Sequence, residues 1–219
     1  GEYVLSFNGS GDHVNFGTDP STELSGDITL AAWIKFDNFN NNNAAVISKT
    51  SGEGSAVGYA FEKKNAQDKI SFWIGDGNSF NEVYSPNLSP DTWYFIAATN
   101  DGSTSKLYID GEFIASGSSG HPAGPTGDLK IGIHSSLSTG GRYWDGSIDN
   151  VSIWDIVLTD EEIDNLSQSS PIGDEEGLVA YWSFNSGDGE ILYDHSGNQN
   201  HGTINGAAWQ EIIEGCTDS

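Results

Sequence analysis

The chain has 219 residues and carries 32 Asp+Glu against 8 Lys+Arg, a formal charge of −24 at pH 7. That length holds one large domain or two small ones and can bury a full core without staples. The charge excludes a basic nucleic-acid footprint, and no run of 18 apolar residues is present to insert in a membrane. Period-2 alternation predicts strands at Tyr3–Phe7, Ile28–Phe36, Ala45–Lys49, Gly58–Glu62, Lys69–Ile74, Trp93–Thr99, Lys106–Asp110, Glu112–Ser116, Leu129–Ile133 and Ile148–Trp154. Asn100-Asp101-Gly102 marks a tight turn, and Asp110-Gly111 is a type I′ hairpin signal. Ile28–Phe36 and Trp93–Thr99 are apolar on both faces, which predicts central strands. Ile148 is out of phase with Val151 and Ile153, so a bulge is expected near Asp149-Asn150. One short helix is expected near 159–168. Thr159 and Glu162 form a capping box, and Ile163 and Leu166 share a face.

Residues 169–177 read as a linker, and Leu178–Asn185 as a further strand. The tail is too short for a stable domain of its own. The expected fold is therefore all-β: a two-sheet antiparallel β-sandwich, or jelly roll, with one short helix. Residues 1–212 are expected to form a single sandwich that includes tail strands in 178–209. Residues 213–219 would begin a linker or a next module. Cys216 is the sole cysteine, so no internal disulfide forms. A start at Gly1-Glu2-Tyr3 with no Met reads as a piece of a longer protein.

In Lys69–Ile74 the residues Ile70, Phe72 and Ile74 face one way, while Ser71 and Trp73 face the other. Trp73 is thus a candidate platform for a sugar ring, with Tyr84 on the following strand beside it. Trp144 sits in Gly140-Gly141-Arg142-Tyr143-Trp144, next to the sole arginine. Arg142 could clamp a carboxylate or sulfate. Trp33, Trp93, Trp154 and Trp182 are assigned to the core. The acidic turns Asp76-Gly77-Asn78, Asp188-Gly189-Glu190 and Asp194–Asn198 do not fit an EF-hand spacing and are explained by turn chemistry. No HExxH, zinc-ligand spacing or G-x-S-x-G elbow is present.

Three blocks resemble bacterial laminin-G-like (concanavalin A-like jelly-roll) modules: Leu5–Val14, Ile28–Phe36, and Trp93–Gly102 running on to Leu107–Gly111. The Ile148–Trp154 block and the Leu178–Trp209 tail extend the match over nearly the whole chain. The resemblance implies calcium, with Asp149 as the side-chain ligand. The turns Asn8–Asp12 and Asp37–Asn40 would supply further oxygens, so Asn8, Asp12 and Asp37 join it as candidate ligands. It also implies a noncatalytic, calcium-stabilised carbohydrate-binding module, monomeric in isolation, with a glycan or polysaccharide as partner. Gly215-Cys216-Thr217-Asp218 resembles the acidic Cys-containing repeats of large bacterial surface proteins, which implies a secreted or cell-surface parent. The alternative is a structural or protein-binding adhesin module without a sugar site. A cryptic glycoside hydrolase or polysaccharide lyase is the third reading. Related glycosidases carry Glu-x-Asp-x-x-Glu on one strand, and Ile148–Ser152 lacks both glutamates.

Overall fold

The computed structural model describes residues 2–38, 43–52, 56–64, 68–135 and 142–212. Two antiparallel sheets of eight strands face each other. The first runs in the order β10 (Glu112–Ser118), β9 (Thr104–Ile109), β8 (Tyr94–Asn100), β3 (Ile28–Phe36), β12 (Asp145–Trp154), β1 (Glu2–Asn8) and β16 (Ala208–Ile212), with β13 (Leu178–Trp182) also paired to β12. The second runs β14 (Ile191–Leu192), β15 (Gly202–Asn205), β2 (His13–Gly17), β11 (Leu129–Ile131), β4 (Ala45–Thr50), β5 (Val57–Lys64), β6 (Lys69–Asp76) and β7 (Phe80–Tyr84). The all-β sandwich with one helix is thus present. The tail strands pair into both sheets: β13 with β12, β15 with β2, and β16 with β1.

The alternation places the core between the sheets. Leu30, Ala32, Ile34 and Phe36 of β3 share one cluster with Tyr59, Phe61, Phe72 and Ile74 of the second sheet. Each large side chain buried there contributes about 1.5–3 kcal/mol. The opposite face of β3 is also apolar because a second layer covers part of it. Ala31, Phe95, Ala97, Tyr108 and Trp154 lie beneath helix α1 (Asp160–Gln168), whose Ile163 is fully buried and whose Leu166 packs at the margin. The helix begins at the expected capping box: Glu162 N donates to Thr159 Oγ1 at 3.2 Å, and Thr159 N donates to Glu162 Oε2 at 2.7 Å. The β9–β10 hairpin turns with φ of 52° at Asp110 and 84° at Gly111, as a type I′ turn requires.

β12 carries the expected bulge. Opposite β3 the register jumps from Asp149–Trp33 to Ser152–Ala31, and Asn150 has φ 47°. On its other edge β12 pairs with β1 over Asp145–Ile148 and with β13 over Val151–Trp154. The bulge is where β12 exchanges one neighbour for the other.

Several boundaries differ from the periodicity. β8 starts at Tyr94, leaving Trp93 ahead of the strand, and β12 starts three residues before Ile148. β11 ends at Ile131 because Gly132 turns at φ 83° beneath the Phe7 ring, where a Cβ would lie 2.5 Å from a ring carbon. β13 stops at Trp182, ahead of Phe184 at φ 55°. β2, β7, β14, β15 and β16, of two to five residues each, lie outside the strands delimited individually by alternation. Residues 213–219, Cys216 among them, lie outside the described residues.

Lys49 of β4 pairs with Tyr59 and is fully buried, and its Nζ makes no hydrogen bond to the described residues. Burial draws its pKa down against the pull of Glu23, Asp128 and Asp19. Methionine keeps the length of the stem and removes the charge. Lys49→Met is therefore expected to raise stability by about 1–3 kcal/mol, read as a higher urea midpoint with an unchanged slope. A lower midpoint would show that those three carboxylates outweigh the desolvation.

Candidate functional site

The outer face of the second sheet gathers polar and aromatic side chains. Its register sets Glu62 beside Ser71 and Tyr84, and Ala60 beside Trp73 and Glu82. Because Tyr59, Phe61 and Phe72 turn into the core, their neighbours on each strand point outward. Glu62 is the hub. One carboxylate oxygen lies 2.9 Å from His134 Nε2 and the other 2.8 Å from Lys64 Nζ, which reaches on to Glu82 at 2.5 Å. Tyr84 donates its hydroxyl to Glu82. His134 is held in place by its loop: Ser135 N donates to Ser48 Oγ at 2.6 Å, Ser48 Oγ donates to Ile133 O at 3.0 Å, and His134 N donates to Arg142 O at 3.3 Å.

Aromatic rings flank this network. Trp73 lies 5.4 Å from Phe80 and 6.4 Å from His134, measured between ring centroids. Trp73 is only 6% exposed, whereas Phe80 is 54% and Tyr84 38% exposed. Trp73 is therefore the floor of the face, and Phe80 and Tyr84 are the rings that meet solvent. Burial alone would raise the Glu62 carboxyl, but the hydrogen bond from His134 and the Lys64 ammonium outweigh it and hold Glu62 below its ordinary value. Lys64 is likewise raised, since Glu62 and Glu82 overcome its burial. The hydrogen bond to Glu82 pushes the Tyr84 phenol up.

Of the residues expected to bind ligand, Trp73, Tyr84 and the Arg142 backbone come together on this face. Trp144 does not, and its assignment is corrected: it is fully buried, edge-on to Phe36 with centroids 6.2 Å apart. Its N donates to Gly132 O and its carbonyl accepts from Gly9 N, both at 2.8 Å, which turns the indole inward just ahead of β12. Glu62, Lys64, Glu82, Phe80 and His134 were not foreseen. Glu62 and Glu82 lie 20 positions apart, and only the β5–β6–β7 register joins them. Two tryptophans assigned to the core are also corrected. Trp33 and Trp93 are half-buried on the outer face of the first sheet, because α1 covers that face only toward Trp154.

The Laminin_G_3 family model, described as the concanavalin A-like lectin/glucanases superfamily, matches residues 8–164. The chain belongs to this superfamily. An uncharacterized protein of Mycobacterium tuberculosis is 31% identical over 102 residues, 44% of this chain and 16% of that protein, so the chain spans about a sixth of that relative's length. Among solved structures, a putative carbohydrate binding protein from Bacteroides ovatus superposes with a TM-score of 0.75 at 22% identity, covering 96% of this chain and 60% of the other. The CBM40 of the Ruminococcus gnavus IT-sialidase, bound to α2,3-sialyllactose, superposes with a TM-score of 0.57 at 16% identity, covering 76% of this chain and all of the other. At these identities the structural likeness establishes the fold.

Calcium, implied by the superfamily resemblance, was expected on Asp149, Asn8, Asp12 and Asp37, and these four do not converge. Asn8 pairs with Asp145, whose carbonyl accepts from Asp37 N at 3.1 Å, and Asp12 Oδ2 accepts from Asn8 N at 3.0 Å. Three candidates thus sit at one end of β12. Asp149 lies four residues further along the strand, roughly 13 Å away. Its two oxygens accept instead from Asn150 N at 2.8 Å and Asn150 Nδ2 at 3.1 Å. Asn8 Oδ1 is engaged by Ser10 N at 2.8 Å. At the three-residue end Lys63 already brings a positive charge, its Nζ 2.5 Å from Asn38 O, while the Asn38 amide donates to Asp145. Residues 39–42, which complete the Asp37–Asn40 turn, lie outside the described residues. Among the described residues no three His, Cys, Asp or Glu side chains are poised around one ion. The predicted ligand set does not fit a single calcium ion. Two of the other acidic turns use their carboxylates as caps: Asp76 accepts from Asn78 N and Ser79 N, and Asp194 from Tyr181 N, Ser196 N and Asn200 N.

Proposed function

We propose that the outer face of the second sheet binds glycan and that the chain is a noncatalytic carbohydrate-recognition module of a secreted or cell-surface protein. The observation that carries this reading is the pairing of exposed Phe80 and Tyr84 with a fixed set of donors and acceptors on one face. Sugar rings stack their C–H faces on such aromatics and direct hydroxyls at polar groups already held in place. The fold shared with a putative carbohydrate binding protein and a sialyllactose-bound CBM40 supports the same reading.

Two carboxylates do meet on this face, so hydrolysis has to be weighed. A glycosidase keeps one carboxyl protonated as its acid. Here a single ammonium bridges both carboxylates, and Glu62 is held below its ordinary value, hence ionised. Lys64 also supplies the positive charge between them, which leaves no role for calcium at this position. The reading is therefore recognition, with modest affinity per site raised by multivalency in a longer parent chain.

The test is a polysaccharide array, probed in calcium and again in EDTA. Phe80→Ala is expected to weaken the strongest glycan at least tenfold in both conditions while leaving the melting temperature nearly unchanged, since Phe80 is 54% exposed. Trp73→Ala should weaken it as well. Wild-type binding by Phe80→Ala and Tyr84→Ala, or no binding by the folded wild type, would overturn the proposal.

A further inference from the structure

The opposite side of the sandwich carries a cleft of about 340 Å³ lined by Glu2, Trp33, Trp93, Asp149, Asn150 and Ile212. It opens at the β12 bulge, where β1 gives way to β13 and where α1 does not cover the outer face. Asp149 is mostly buried there. Both its oxygens accept from Asn150, and Asn150 is pinned in turn by the Tyr181 hydroxyl at 2.8 Å and the Ser170 hydroxyl at 3.1 Å. The charge facing it is Glu2, of the same sign. Among the described residues no Lys or Arg lines the cleft. The Lys35 ammonium lies 5.7 Å from the Trp93 ring centroid, so this indole already accepts a cation.

A sheltered carboxylate beside two indoles and a second carboxylate has one chemical complement: a cation with an apolar surface. An anion is repelled. A bare metal ion finds indoles where it needs oxygens. A neutral sugar can donate hydroxyls to Asp149 but brings no positive charge to offset Asp149 and Glu2 together. We propose that this cleft binds a small alkylammonium ion, with nitrogen toward Asp149 and Glu2 and alkyl groups against Trp33 and Trp93. The charge of −24 raises the concentration of such cations near the surface.

The experiment titrates the folded chain with tetramethylammonium chloride and, separately, with n-butylammonium chloride. Tryptophan fluorescence is read at constant ionic strength, with sodium chloride as the reference. A saturable response to either organic cation, absent for sodium, is expected. Trp93→Ala and Asp149→Asn should each weaken it at least tenfold. Trp93 precedes β8, and the Asp149 variant retains its hydrogen bond from Asn150 N, so both should fold, which a thermal melt checks. No saturable response to either cation, or an undiminished one in folded Asp149→Asn, would overturn the proposal. So would saturable binding of a neutral hexose that Trp93→Ala abolishes, since the cleft would then be a sugar site.

Discussion

Asp149→Asn is expected to raise the melting temperature by about 2–4 °C at pH 8, the net of a larger gain and a lost hydrogen bond, and to lower it slightly at pH 4. Burial pushes the Asp149 carboxyl up to about 7 from an ordinary 3.8, Glu2 adds to the shift, and the Asn150 hydrogen bonds only partly offset it. A carboxyl raised in the folded state holds its proton while the unfolded chain has already lost it. Stability therefore falls as pH climbs from about 4 to about 7 and stays low above that. At about 1.4 kcal/mol per unit the full shift corresponds to about 4 kcal/mol, and solvent screening of the exposed part reduces this to about 2 kcal/mol. For a chain of this length each kcal/mol moves the midpoint by about 2–4 °C. The amide loses the hydrogen bond that Asn150 Nδ2 gives the second oxygen, a cost of about 1 kcal/mol that survives at pH 4. Melting curves at both pH values, with calcium and with EDTA, check the sign. A calcium ligand would behave oppositely, since asparagine would then lower the midpoint at pH 8 in calcium. A carboxylate that destabilises the fold where it is ionised is what a binding cleft retains for its ligand.

Alternation and phase carried most of the fold. Ile28–Phe36 is a strand over the whole predicted range, and the phase slip between Ile148 and Val151 located the bulge that splits β12. What periodicity cannot carry is which outer surface stays open. Trp33 shares a face with Ala31 two positions earlier; Ala31 is sealed by the α1 layer and Trp33 is not. That distinction depends on where a nine-residue helix lands, more than a hundred positions later. Trp144 fails in the other direction. The glycines before it suggested an exposed loop, yet the backbone hydrogen bonds to Gly132 and Gly9 turn the ring into the core. Trp73 was placed on the correct face by its neighbours Phe72 and Ile74, while its Phe80 cover belongs to β7, a strand of five residues. The Glu62–Lys64–Glu82 network is likewise a product of register, and His134 joins it from a loop held by Ser48.

Trp144→Ala should cost about 3–5 kcal/mol, roughly 10 °C in melting temperature, whereas Trp144→Phe should cost far less. The indole is fully buried against Phe36, and no neighbour can collapse into its volume without disturbing the start of β12, where Gly146 sits so close to β3 that a Cβ would lie 2.2 Å from Lys35 O. Phenylalanine keeps a ring edge-on to Phe36 and removes an indole N–H that makes no hydrogen bond to the described residues. Either change also alters the ring that the Lys63 ammonium overlies at 5.7 Å. Burial draws Lys63 down to about 8 against the opposing pull of Asp145 and Asp37, so its charge depends on these neighbours. The two variants separate packing from recognition. At a temperature where Trp144→Ala remains folded, glycan affinity should match that of the wild type, because the ring lies beneath the binding face rather than on it. An affinity loss in folded Trp144→Phe, equal to that in Phe80→Ala, would instead require the core at this end of β12 to open when ligand binds.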